Sequence, residues 1–321
     1  MSCSVFGPPR THEARPPPSA YRTPASRSAA PAFRVVSTSR SNSSSPGMAA
    51  SYPGLESANH GHHVGVDDKR TIRIAAAGDV HASEAHRERV ESAFAEIDGE
   101  ADLILLAGDV TTQGDPEEAR VLADACEGLR TPVYAVLGNH DHHLGRGHEV
   151  ADALRSAGVL VLDRDWAIAE VESVDVGIVG AKGFVGGFAG SSLPDFGEPL
   201  LREVYAETTA ETDAIGDGLK AVAHCPLRIV LLHYAPVEGT LEGEPPGIWT
   251  YLGCARLGIP IAEHLPDLVL HGHAHAGRFE SSIAETPVYN VAVQVTGRDF
   301  YVFELEATPG RSEVEVDAPP A

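Results

Sequence analysis

Ile72-Arg-Ile-Ala-Ala-Ala-Gly-Asp-Val-His81 decides how this chain is read: a mostly apolar run, then a glycine, then an aspartate and a histidine two positions apart. The same order returns at Leu103-Ile-Leu-Leu-Ala-Gly-Asp109 and at Val133-Tyr-Ala-Val-Leu-Gly-Asn-His-Asp141. Asp79, Asp109 and Asn139 stand thirty residues apart, and a strand, a crossover helix and the next parallel strand need roughly 30 residues. Runs this apolar read as parallel strands buried on both faces. Helix-like stretches near 84–97 and 116–127 fill the intervals. The second opens with Asp115-Pro116-Glu117, an N-cap candidate followed by Pro in the first turn and acids near the positive helix end. Three polar residues therefore sit at the carboxyl ends of successive strands, where open α/β sheets bind ligands. The glycine before each lets the chain turn sharply. An extended backbone would point Asp79 and His81 the same way.

Two more fragments complete the set: His233 after Arg228-Ile-Val-Leu-Leu232, and Gly272-His-Ala-His275 after Leu268-Val-Leu270. The side chains are carboxylates, imidazoles and one amide, with no thiolate, which argues against a soft, closed structural site. Any one of these fragments alone reads as a turn or a loop. Five in order, each after an expected strand, read as a metal site.

In order, residue type and glycine placement, these fragments resemble the calcineurin-like metallophosphoesterases, in particular the small bacterial phosphodiesterase and phosphohydrolase type. The resemblance covers 71–305. It implies an α/β fold, a four-layer α-β-β-α sandwich of two mixed β-sheets flanked by helices. It implies a hydrolase of phosphate esters with two divalent metal ions (Mn2+, Fe2+/Fe3+ or Zn2+). By that likeness Asp79, His81, Asp109 and His275 hold one ion, and Asp109, Asn139, His233 and His273 the other. A shared Asp109 implies ions about 3.5–4 Å apart, with an acidified water between them as nucleophile. His140 would protonate or steady the leaving oxygen, with Asp141 as its helper. In the protein-phosphatase branch an Asp three residues after the shared one pairs with this histidine. Thr112 stands there instead, which argues against a protein phosphatase. Gly108-Asp-Val-Thr-Thr-Gln-Gly-Asp-Pro-Glu-Glu118 looks more like the small cyclic-nucleotide and phosphodiester hydrolases, although Asn139-His-Asp-His-His143 departs from the continuation usual there. The alternatives are a non-catalytic scaffold of the same fold that binds protein partners, opposed by the complete ligand set, and a DNA-repair nuclease subunit, opposed by charge.

The chain has 321 residues and a formal charge of −22. Residues 1–47 hold six arginines against the single acid Glu13, so the remainder carries −27. Such a surface repels polymeric nucleic acid. A small phosphorylated molecule is the expected substrate; oligomeric state is left open. No apolar run approaches the ~18 residues of a membrane span. Cys3, Cys126, Cys225 and Cys254 form no close pair in sequence, which suggests free thiols, a reducing compartment and a cytoplasmic protein. The expected organisation is a Pro/Ser/Arg-rich tail over 1–70, one domain over 71–306 and a polar tail over 307–321. The start of the tail fits an organelle transit peptide, which would mean organelle import. Alternatively, translation begins at Met48, the reading favoured by the polar linker that follows it.

Past Asn139 the expected elements are a helix at about 147–157, a short strand at 159–162, a hairpin of 166–171 and 174–179, a long helix over 198–222, and closing strands near 287–295 and 299–305. Ala181-Lys-Gly-Phe-Val-Gly-Gly-Phe-Ala-Gly190 lacks the P-loop arrangement and reads as flexible cover. The segment 236–259 lies between two ligand fragments and should form the rim. There Trp249 and Tyr251 could wall a leaving group, and Arg256 could meet phosphate. Packing beneath a capping loop explains both aromatics equally well. His142, His143 and His148 read as exposed loop, and His271 as a residue that orients the last fragment.

Overall fold

The computed structural model describes residues 69–308. The expected tails, with Cys3 and Met48, lie outside the described residues except at their inner edges. In order the elements are β1 (Arg70–Ala77), a turn of 3-10 helix at Glu84–His86 leading into α1 (Arg87–Ile97), β2 (Leu103–Ala107), α2 (Pro116–Cys126), β3 (Val133–Val136), α3 (Gly147–Ser156), β4 (Leu160–Val161), β5 (Asp165–Val171) and β6 (Val174–Gly180). A small ribbon follows, β7 (Gly187–Phe188) and β8 (Ser191–Ser192), then α4 (Pro199–Ala221) and β9 (Leu227–Leu231). Short helical turns fill 238–257, among them α5 (Trp249–Leu252); then come α6 (Gly258–His264), β10 (Leu268–His271), β11 (Glu280–Ile283), β12 (Thr286–Asn290), α7 (Val293–Thr296) and β13 (Tyr301–Ala307).

Two mixed sheets result. One has the order β13-β1-β2-β3-β4 and the other β11-β12-β10-β9-β6-β5. β13 joins β1 antiparallel, while β1, β2, β3 and β4 run parallel. In the second sheet β12, β10, β9 and β6 are parallel, and β11 and β5 are antiparallel edges. Alternation along each strand sorts the apolar residues into layers. Ile72, Ile74, Leu103 and Leu105 meet Val176, Ile178, Ile229 and Leu270 between the sheets. The residues of opposite parity, Ala75, Ile104 and Leu106, pack on Phe94, Leu122 and Leu154 of the first three helices. Val179, Val230 and Val269 pack on Ile215 and Leu219 of α4 and on Ile261 of α6. This is the four-layer α-β-β-α sandwich of the fold class read from the sequence.

The start of α2 is built as its residues suggest: the Asp115 carboxylate accepts from Glu117 N at 3.1 Å, with Pro116 first in the helix. Two stretches differ from expectation. The strand placed near 287–295 ends at Asn290 because the chain then leaves its sheet for the first ligand loop. Gly78 N donates to Val291 O at 2.8 Å and Val293 N to Gly78 O at 3.0 Å, so 293–296 closes as a helical turn. β11 has the sequence Glu-Ser-Ser-Ile and lies on an edge; its polar residues carry no apolar signal. Among the described residues no helix is long and apolar enough to cross a membrane. Cys126, Cys225 and Cys254 are buried and free.

Candidate metal centre

The carboxyl ends of β1, β2 and β3 meet those of β9 and β10 at one rim. His233, just past β9, places Nδ1 2.9 Å from Ala107 O at the end of β2. Asp79, just past β1, accepts the His273 N–H at 2.9 Å. The loops also lace to each other through Asp79 N to Gly108 O at 2.9 Å, His81 N to Asp109 O at 3.0 Å and Ala82 N to Val110 O at 2.9 Å. Asp79 and His81 converge, but not on extended backbone. Their φ values are +58° and +48°, with Asp109 at +49° and His273 at +70°, all in the left-handed region that non-glycine residues seldom adopt. Two of the preceding glycines serve different needs. Gly108 combines φ +80° with a space where a Cβ would come within 2.5 Å of the His233 ring, whereas at Gly138 a Cβ would strike the Asp109 carboxylate.

Three overlapping groups of ligand atoms gather here, each within 4.8 Å: Asp79, His81 and His275; His81, Asp109 and His140; Asp109, His233 and His273. Asn139 completes the corner, its Oδ1 2.9 Å from His233 Nε2. All seven residues expected as metal ligands thus converge. Asp109 lies at the junction. Its Oδ1 accepts from His140 N at 2.8 Å and lies 3.4 Å from His233 Nε2. Its Oδ2 is buried with no hydrogen-bond partner. A buried anionic oxygen without a partner is costly, and a cation is the partner the surroundings suit.

The imidazoles are already turned for that task. A carbonyl can only accept, so each ring nitrogen facing one carries a proton and the other nitrogen is the one turned toward the cluster. His233 Nδ1 faces Ala107 O and His81 Nδ1 faces Thr111 O at 3.2 Å, which leaves Nε2 of both rings for the cluster. His273 is reversed: Nε2 faces Tyr251 O at 3.2 Å, and Nδ1 is free. Such outer partners fix ring orientation in metal sites. Electrostatics agree. Burial opposes ionisation of Asp109, but His233 overrides it and holds the carboxyl below the usual carboxylate range. Burial likewise pushes His233 down, yet the Asp109 charge prevails and lifts it to about 9. Burial drives His273 down to about 3. His275 is raised, mainly by its 2.8 Å contact with Asp79.

His140 enters the same cluster with Nε2 3.9 Å from Asp109 Oδ2. Its Nδ1 donates to Thr112 O at 2.7 Å. The residue that lacks the protein-phosphatase carboxylate thus supplies its backbone carbonyl instead. Asp141 requires correction. It was expected beside His140 at the leaving group, but it is fully buried. Its oxygens accept from Thr111 N at 2.8 Å, Thr111 Oγ1 at 2.5 Å, Gly138 N at 2.8 Å and Val110 N at 3.2 Å. With both oxygens engaged, it ties the third loop to the second.

The rim residues divide. Tyr251 is 66% exposed and its carbonyl meets His273, so it borders the centre. Trp249 packs against the cluster of Phe188, Leu241, Leu252 and Ala274, and its Nε1 donates to Glu244 O at 3.0 Å. Arg256 is committed elsewhere: it stacks 3.9 Å over Tyr205 and bonds Thr209 and Tyr205 O of α4, so it pins the cap to that helix instead of facing phosphate. The glycine-rich stretch is not loose cover, since Gly186 N and Gly187 N bond to Thr250 O and Gly253 O. His271 is buried and joins the cap to the last loop through Thr240 Oγ1 at 2.9 Å. His142, His143 and His148 are exposed, with His143 stacked 4.2 Å from His140. Sequence reasoning missed Thr111, whose carbonyl orients His81, and Tyr234, whose ring lies 4.5 Å from that of His273. Neither is a ligand type, so neither announces itself.

Comparison with known proteins agrees with this geometry. A probable cyclic nucleotide phosphodiesterase of Xenorhabdus bovienii is 32% identical over 80 residues, which is 23% of this chain and about a third (32%) of the length of that relative. The crystal structure of phosphopantetheinyl hydrolase from Mycobacterium tuberculosis superposes with a TM-score of 0.53 at 15% identity, over 74% of this chain and 96% of that one; at such identity it speaks for the fold alone. Residues 72–277, which take in most of β1 and all five candidate ligand loops, match the calcineurin-like phosphoesterase family. The chain belongs to that family.

Proposed function

We propose that residues 71–306 form a hydrolase domain that cleaves a small phosphodiester or phosphomonoester with the help of two divalent metal ions. The observation that carries this reading is Asp109, which two groups of ligand atoms share and whose Oδ2 is buried without a partner. Asp79, His81, Asp109 and His275 would hold one ion, and Asp109, Asn139, His233 and His273 the other. Their mixed oxygen and nitrogen donors suit Mn2+, Fe2+/Fe3+ or Zn2+. Such ions supply Lewis acidity toward phosphoryl oxygens and acidify water.

The chain's own groups do the rest. Ala107, Thr111 and Tyr251 carbonyls hold three imidazoles in their ligand orientation. Thr112 O keeps the His140 Nδ1 proton in place, so Nε2 is the atom that exchanges a proton with, or stabilises charge on, the leaving oxygen. The exposed Tyr251 borders the leaving group. The cyclic nucleotide phosphodiesterase relative favours a diester. The three buried thiols support a cytoplasmic setting. Chelated enzyme, reloaded with each metal in turn, is tested on bis(p-nitrophenyl) phosphate, p-nitrophenyl phosphate and cyclic nucleotides. Metal-dependent turnover is expected. Stoichiometric metal uptake without turnover of any of them would instead favour the scaffold.

A further inference from the structure

Lys182 opens the glycine-rich stretch that the metal centre does not use. β6 runs parallel to β9, so the residues after β6 emerge at the same rim as His233. The backbone is continuous with the site: Lys182 O accepts the N–H groups of both His233 and Tyr234, each at 3.0 Å. Two rings flank the ammonium, Nζ lying 4.3 Å from the Phe184 centroid and 5.3 Å from that of Tyr234. Tyr234 in turn lies against the His273 ring. One aromatic ring therefore separates this ammonium from the candidate metal centre.

The ammonium is under-used. It donates one hydrogen bond, to Gly183 O at 3.0 Å, and an ammonium has three donors. Glu211, Glu207, Arg164, Asp163 and His142 all act on it through space. Glu211 is its strongest partner, but at a distance: the Glu211 oxygens bond to Gly183 N and Arg164, and Glu207 to Arg164. Lys69 and Lys220 pair with Glu306 and Asp217 on the surface, whereas among the described residues no ion pair forms at Lys182. Burial depresses its pKa, the mark of a cation that lacks full compensation. An anion arriving above Phe184 and Tyr234 would supply it.

We propose that Lys182 is a substrate-binding cation that takes an anionic group other than the phosphoryl group at the metal centre, so that the substrate is a phosphoester carrying a second negative group. The proposal rests on the hydrolase reading above. Arg164 and Arg256 do not compete for the role, since both are tied to α4.

The test uses the p-nitrophenyl ester of thymidine 5′-phosphate with and without a 3′-phosphate, in the wild type and in Lys182→Gln. The expected result is a KM at least about tenfold lower for the 3′-phosphorylated ester in the wild type, a factor equivalent to about 1.4 kcal/mol, and loss of that preference in the variant. The ratio of KM values is the readout, so a general loss of activity cancels. A second measurement needs no mutation. The chain has three lysines, at 69, 182 and 220, so amine acylation read by mass spectrometry reports each separately. Adenosine 3′,5′-bisphosphate should shield Lys182 more than adenosine 5′-monophosphate does, with Lys69 and Lys220 unaffected. No preference in the wild type, a preference that survives in Lys182→Gln, or equal shielding by the two nucleotides would each overturn the proposal. Metal-loaded wild type that cleaves neither ester points to failure of the hydrolase reading itself; shielding still reports whether Lys182 binds the second anion.

Discussion

Replacing Asp141 separates the two roles open to it. Asp141→Ala strips the acceptor from three buried backbone N–H groups, those of Val110, Thr111 and Gly138. Each buried donor left unsatisfied costs about 1–3 kcal/mol. One effect opposes the loss. Burial holds the Asp141 carboxyl up at about 6 against a usual 3.8, so its ionised form is disfavoured in the folded chain by about 3 kcal/mol at neutral pH. Taking the middle of the range for three donors, the orphaned groups outweigh that relief, and alanine should destabilise by about 3 kcal/mol. Asparagine is different. Its carbonyl can replace Oδ2 and keep Val110 and Gly138 bonded, while the Thr111 hydroxyl turns to accept from the new amide. One N–H is orphaned, the charge penalty is relieved, and the two effects nearly cancel.

Urea unfolding at pH 7 should therefore place Asp141→Ala well below wild type and Asp141→Asn within about 1 kcal/mol of it. The pH dependence has a definite sign. A carboxyl whose folded pKa is raised contributes most stability below its unfolded pKa and loses that contribution as pH rises through the folded one. Wild type should thus lose stability relative to Asp141→Asn between about pH 4 and 6. Because Asp141 bonds to the loops and not to the His140 ring, Asp141→Asn should also keep most of its turnover. A stable, metal-loaded Asp141→Asn that loses a hundredfold or more on an ester with a poor leaving group would refute the reasoning and restore the helper role.

Four further outcomes are expected. Asp109→Asn should bind both metals weakly and nearly abolish turnover; two tightly held metals with a near-normal rate, by elemental analysis and assay, would end the shared-ligand assignment. His140→Ala should keep its metals yet lose about 10²–10⁴-fold on alkoxide leaving groups and less on nitrophenolate; equal losses would exclude proton transfer. Trp249→Ala should cost roughly 1–3 kcal/mol because the ring is half-buried, whereas Tyr251→Ala should leave melting unchanged and alter relative rates among esters. Metal uptake must displace the proton from His233, raised to about 9, so affinity should rise with pH up to that value, and calorimetry in buffers of different ionisation enthalpy should detect proton release.

The strand-borne part of the centre was legible because its signals are local. Each candidate ligand loop follows an apolar run, and thirty-residue spacing is the arithmetic of a strand-helix-strand unit. What was not legible depends on contacts between distant loops. Asp141 looked like a catalytic neighbour of His140 because they are adjacent in sequence, but Asp141 turns inward toward Thr111 and Gly138. Arg256 looked like a phosphate ligand because guanidinium suits phosphate, and nothing local shows that Tyr205, 51 residues upstream, stacks with it. Lys182 drew no notice because it follows a strand without a ligand motif. β12 was drawn too long because Val291 and Val293 are good strand residues, and only the approach of Gly78 turns them aside.

The ligand loops also carry a strain that the sequence pattern hides. A residue held in a sparsely populated backbone region costs on the order of 1–3 kcal/mol, and Asp79, His81, Asp109 and His273 are all so held. Relaxing any one of them would break the bonds from Asp79 N to Gly108 O, from His81 N to Asp109 O, or from His273 N to the Asp79 carboxylate. The first two bonds tie the β1 loop to the β2 loop, and the third ties it to the β10 loop of the other sheet. Each strained residue is therefore kept in place by a loop that carries another ligand. The cross-bonds between the strained loops bring carboxylates and imidazoles together at one rim. A site assembled this way is preorganised before any cation arrives. The glycines matter as spacers in this arrangement: without the bare backbone at Gly108 and Gly138, His233 and the Asp109 carboxylate could not approach the neighbouring loops closely enough to share one cluster.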